Sequence, residues 1–137
     1  MNTIIKRFFI ILYITMVFTV SVFATTFNDI EPRYAYINAI NSELVIDEQL
    51  GVASCEADIM ANGSLKITVT CKLQRVTQNG MVTVATWNQS AKGILLFRES
   101  KPVVSGYKYR FYISGEISNS NGTVLEAFSK SYYYDYS

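Results

Sequence analysis

The sequence predicts an all-β fold, an antiparallel sandwich or barrel of about seven strands. Two observations carry this. From Ser42 onward apolar and polar residues alternate with period two, and short alternating runs are punctuated by Gly, Asn and Ser at turn positions. The first strand runs from Ser42 to Asp47, with Leu44 and Ile46 facing inward and Asp47-Glu48 supplying turn chemistry. The second, Val52 to Ala61, alternates Ala53, Cys55, Ala57 and Ile59 against Ser54, Glu56 and Asp58. The third, Leu65 to Arg75, is the cleanest, with Leu65, Ile67, Val69, Cys71 and Leu73 on one unbroken apolar face. A fourth follows the Asn79-Gly80 turn from Met81 to Asn88, and a fifth spans Gly93 to Arg98. The sixth, Tyr107 to Ile117, alternates Tyr107, Tyr109, Phe111 and Ile113 against Lys108, Arg110, Tyr112 and Ser114. The seventh starts after Asn121-Gly122 and runs from Val124 toward Tyr134.

The chain ahead of these strands divides in two. Lys6 and Arg7 precede a nearly unbroken apolar run from Phe8 to Val20, and Val22-Phe23-Ala24 offers a cleavage site. Residues 1–24 therefore read as a signal peptide removed after Ala24, the run being shorter than the roughly 20 residues that span a bilayer. The expected localisation is secreted, extracellular or cell-surface associated, with membrane contact only through the signal segment before cleavage. Residues 25–41 form a lead-in, in which Asn38 to Asn41 fits a helical turn or an extended segment equally. Residues 42–137 form the β-sandwich domain.

Composition narrows the chemistry. Of 12 Lys and Arg and 11 Asp and Glu, the signal segment holds two cations and no acid. The remainder is close to neutral, which supplies no electrostatic reason for a nucleic-acid partner. Histidine is absent, and with it the commonest general base and metal ligand. No catalytic constellation, metal site or cofactor motif is legible, so the expectation is a protein that is not an enzyme. Glu56 and Asp58 share the outward face of the second strand and read as a solvated charge ladder with Lys66 and Lys72.

The two cysteines, Cys55 and Cys71, invite a disulfide in an exported chain. A hairpin closed by Asn62-Gly63-Ser64 matches the apolar faces of the second and third strands and sets Cys55 opposite Cys71. If the two strands lie in different sheets, both sulfurs still point into the core and the bond bridges the sheets. The remaining alternative is a pair of buried free thiols.

Aromatic residues stand above background. Tyr132-Tyr133-Tyr134-Asp135-Tyr136 cannot turn every ring inward on a strand, and Tyr112 falls outward beside Lys108 and Arg110. Lys108, Arg110, Tyr112, Tyr133, Tyr134 and Tyr136 thus form a candidate binding surface for an extracellular glycan or protein. The competing reading is that tyrosine is simply a favoured strand residue packed across its neighbours. Trp87, the single tryptophan, reads as a core anchor.

From Pro32 to Tyr134 the chain resembles a family of small secreted proteins of unknown function from Gram-positive bacteria. The resemblance rests on Pro32-Arg33-Tyr34-Ala35-Tyr36-Ile37, on Val69-Thr70-Cys71-Lys72-Leu73-Gln74-Arg75, on Trp87 and on Gly106-Tyr107-Lys108-Tyr109-Arg110. The Gly-Tyr-x-Tyr segment is also similar to the sixth strand of immunoglobulin-like sandwiches, where a tyrosine ties a corner. The resemblance implies an immunoglobulin-like antiparallel β-sandwich and export, and it brings no activity. The cysteines depart from the immunoglobulin pattern, lying on the second and third strands rather than the second and sixth. The functional expectation is a non-catalytic extracellular binding module, the alternative a small secreted effector or bacteriocin-like antagonist.

Overall fold

A computed structural model describes residues Arg33–Ser137. The expected signal peptide and residues 25–32 of the lead-in lie outside the described residues. Seven strands follow: β1 (Ile37–Asp47), β2 (Val52–Ala61), β3 (Lys66–Thr77), β4 (Gly80–Lys92), β5 (Ile94–Pro102), β6 (Tyr107–Ser118) and β7 (Val124–Tyr136). They form two antiparallel sheets, ordered β1-β2-β5 and β4-β3-β6-β7. This is an immunoglobulin-like β-sandwich in which the fourth strand pairs with β3, instead of flanking β5 as the fourth strand does in constant-type domains.

Period-two patterning explains the packing. Ala53, Cys55, Ala57 and Ile59 from the small sheet face Ile67, Val69, Cys71 and Leu73 from the large one, and every one of them is buried. Phe97 on β5 stacks on Phe111 of β6 with centroids 5.9 Å apart, and meets the edge of Trp87 at 5.7 Å. Each such buried ring contributes about 1.5–3 kcal/mol through lost apolar exposure. Trp87 is half-buried on the inner side of β4, as a core anchor should be.

One corner is fixed by a hydrogen-bond pair. Tyr109, buried near the start of β6, donates its hydroxyl to the Val104 carbonyl (2.8 Å) and accepts from the Val104 N–H (3.1 Å). That is the tyrosine corner expected from the Gly-Tyr-x-Tyr segment. At the β1–β2 turn, Asp47 Oδ1 accepts from the N–H groups of Gln49 and Leu50, both at 3.0 Å.

Asn38 to Asn41 are extended, so β1 begins at Ile37 rather than Ser42. Pairing with β2 decides this, since Ile40 lies opposite Ile59 and Ile37 opposite Ala61. The chain just before β1 is anchored as well. The N–H groups of Ala35 and Tyr36 both donate to the Glu126 carboxylate, at 2.8 and 2.9 Å, and Asn62 Nδ2 donates to the Ala35 carbonyl.

Three expectations are corrected. β2 and β3 do not form a hairpin, because the Asn62–Leu65 link carries the chain from one sheet to the other. Cys55 is flanked by Leu44 and Glu99, and Cys71 by Trp87 and Ile113. No disulfide joins Cys55 and Cys71; both are buried free thiols. Both side chains still face the core, one from each sheet. Finally, the partner of Glu56 and Asp58 is Arg98 of β5, at 3.2 and 2.7 Å, since Lys66 and Lys72 belong to the other sheet.

Candidate recognition face

The outer face of the four-stranded sheet is built in rows. Register sets Lys72 beside Tyr112 and Ser131, Gln74 beside Arg110 and Tyr133, and Val76 beside Lys108 and Asp135. On the other side, β4 adds Thr86, Thr83 and Met81 to the same three rows. Further along, Thr70, Asn88, Ser114 and Ser129 make a row of hydroxyl and amide side chains.

Arg110 lies at the centre of this face. Its guanidinium sits 4.4 Å from the centroid of the Tyr112 ring, the next residue on the same side of β6. Nε and Nη2 donate to Ser131 Oγ at 2.9 and 2.8 Å, and Nη1 reaches Met81 Sδ at 3.1 Å. Contacts on both flanking sides thus hold a long side chain in one conformation. Lys108 lies 5.0 Å from the centroid of Tyr133, whose ring is 51% exposed. Both ion pairs among the described residues are made by Arg98, so Lys72, Lys108 and Arg110 close no ion pair with a described carboxylate, although Asp135 lies opposite Lys108. Nearby hydroxyls and amides bond to one another, Thr70 to Asn88 at 2.8 Å and Ser90 to Thr68 at 3.3 Å.

Four of the six expected surface residues, Lys108, Arg110, Tyr112 and Tyr133, therefore meet on one face. The other two do not. Tyr134 and Tyr136 fall on the inner side of β7, half-buried, with their hydroxyls donated to the Glu48 carboxylate (3.2 Å) and the Glu48 carbonyl (3.1 Å). They tie the last strand to the β1–β2 loop. Partial burial first, and then the Glu48 carboxylate, raise the Tyr134 hydroxyl above its ordinary range. Met81 and Ser131 are the members sequence reasoning missed. Ser131 was open to strand parity, being opposite Tyr112; Met81 was not, because a register shift opposite Leu73 and Gln74 resets the alternation of β4.

The arrangement sets aromatic rings, cations and hydroxyls side by side on one sheet face. Among the described residues, no three Cys, Asp or Glu side chains are grouped to hold a metal ion. The two thiols are removed from chemistry by burial, which with the Cys71 sulfur beside it pushes the Cys55 thiol from 9.0 up to about 12, and burial does the same for Cys71. The chain matches no protein-family model and no curated protein.

Proposed function

We propose that this protein is an exported, non-catalytic recognition module that binds a cell-surface glycan across the outer face of its four-stranded sheet. The observation that carries the reading is Arg110, clamped between Met81 and Ser131 and stacked on Tyr112, beside the Lys108–Tyr133 pair. Holding a cation and two rings in place before binding removes the ordering cost that a mobile surface incurs. Stacking surfaces for sugar rings and donors for their hydroxyls then stand side by side. Export is supported by the basic and apolar pattern of residues 1–24.

Co-sedimentation with isolated cell walls of the producer, through a salt series, tests this. Pelleting that persists at high salt is expected, because stacking is screened far less than exposed charge. Tyr112→Ala and Tyr133→Ala should each weaken it by about 1 kcal/mol or more, roughly fivefold. A protein that stays in the supernatant with walls at every salt concentration overturns the glycan reading and moves the search to protein partners.

A further inference from the structure

The two sheets have four edge strands, β1 and β5 on the smaller and β4 and β7 on the larger. An edge strand presents unpaired N–H and C=O groups, and proteins guard such edges with charge, proline or covering chain. Three edges here are guarded. β5 carries Arg98, Glu99, Lys101 and Pro102, and the carbonyls of Leu96 and Phe97 accept from Gln89 Nε2 (3.0 Å) and Arg98 Nη1 (2.6 Å). β7 carries Glu126, Lys130 and Asp135, and Glu126 holds the chain that leads into β1. β1 carries Glu43 and Asp47.

β4 is different. From Gly80 to Ala91 it holds neither a charge nor a proline, and among the described residues nothing outside its own sheet bonds its backbone between Met81 and Ala91. Met81 and Val82 are exposed on it, at 42% and 46%. The register shift near Val84 bends its first part, which leaves Ala85–Ala91 as the regular stretch.

We propose that β4 is a self-association edge, pairing antiparallel with β4 of a second copy about a two-fold axis. Charge compatibility selects this occupant: any register of Met81–Ala91 against itself opposes only neutral side chains. Self-pairing of β5 or β7 carries charged residues into the contact. Two-fold symmetry also gives each free donor an identical strand's acceptor. The product is one eight-stranded sheet, with two copies of the Arg110–Tyr112 face on the same side. The inference is independent of what that face binds. The contact is a single strand pair, so it belongs with small, transient interfaces, below about 1,200 Å².

Sedimentation equilibrium of the protein as its producer makes it, with backbone hydrogen exchange across a concentration series, tests this. A concentration-dependent monomer–dimer equilibrium is expected, with amides of Ala85–Ala91 gaining protection as the dimer fills. The double variant Thr86→Glu and Asn88→Glu should raise the dissociation constant about tenfold or more, since acidic side chains then crowd the axis. Both positions are exposed, a Glu at 86 faces Lys72, and a Glu at 88 still offers a carboxylate oxygen to the Thr70 hydroxyl that Asn88 Oδ1 accepts from, so melting should change little. Ser129→Glu, on the β7 edge, should leave association as it was. A monomer at every concentration overturns the proposal, as does a dimer indifferent to the β4 variants. Protection of β4 amides that is the same at all concentrations also overturns it, since another segment of the chain then covers the edge.

Discussion

Arg110, Tyr109 and the two cysteines show how single side chains acquire opposite fates from one strand pattern. Tyr109 and Arg110 are adjacent, so pleating sends the first into the core and the second onto the outer face of the sheet. Burying a hydroxyl is tolerable only because Val104 satisfies it twice. Tyr109→Phe should therefore lower unfolding free energy by about 0.5–1.5 kcal/mol, the net contribution of the lost hydrogen bonds to Val104; a shift in the urea midpoint at unchanged slope measures it. The cysteines make a pH prediction. In the unfolded chain their thiols ionise near pH 9, whereas in the fold burial holds the protons on until about pH 12. Between these values the unfolded chain binds fewer protons than the native one, so stability is intact below pH 9 and declines as pH rises toward 12. Urea midpoints taken from pH 8 to 11 should fall more steeply for the parent than for the double variant Cys55→Ala and Cys71→Ala. Thiol reagents should likewise titrate two groups in denaturant and react only slowly with the native protein.

At the level of elements, alternation is what made the sandwich legible. β2 and β6 run as expected because their apolar faces are continuous and their ends carry Gly, Asn or Ser. What alternation leaves open is which strands pair. Even parity between β2 and β3 is met equally by a hairpin and by two strands facing each other across a core, and Asn62–Leu65 makes the crossing. The disulfide expectation failed at that step. β4 and β5 outran their expected ends for a related reason: pairing with β3 and β2 extends them through polar residues that carry no apolar signal. Gly115, in the middle of β6, had no assigned role in the sequence, and packing supplies one. A Cβ there would lie 2.6 Å from the Phe128 ring and 2.7 Å from the Thr68 carbonyl, so only glycine lets β3 and β7 close around β6. Gly115→Ala should cost about 1–3 kcal/mol by overpacking, read as a lower melting temperature. Glu126 does comparable work at the edge of the sheet. Glu126→Ala should free Ala35 and Tyr36, speeding their amide exchange and opening that segment to proteases, with little change in global melting.

Across the whole molecule the near-neutral composition conceals a division between the faces. The outer side of the small sheet carries Glu43, Asp47, Glu56 and Asp58 against Arg98 alone. The outer side of the large sheet carries Lys66, Lys72, Lys92, Lys108 and Arg110 against Glu116 and Asp135. Net charge averages these away, so composition carries no electrostatic hint of a partner; register segregates the signs. A ligand approaching the large sheet meets a positive field that falls off over about 8 Å at physiological ionic strength. Charge changes on the two faces should therefore act unequally. Lys72→Glu, beside Tyr112, should weaken wall binding severalfold at low salt and progressively less as salt rises, because the lost contribution is mostly field rather than contact. Glu43→Lys moves net charge in the opposite direction on the far side of the sandwich and should leave the same binding curve where it was. Equal and opposite shifts from the two variants would mean that net charge alone governs adhesion, and the assignment of recognition to one face would be lost.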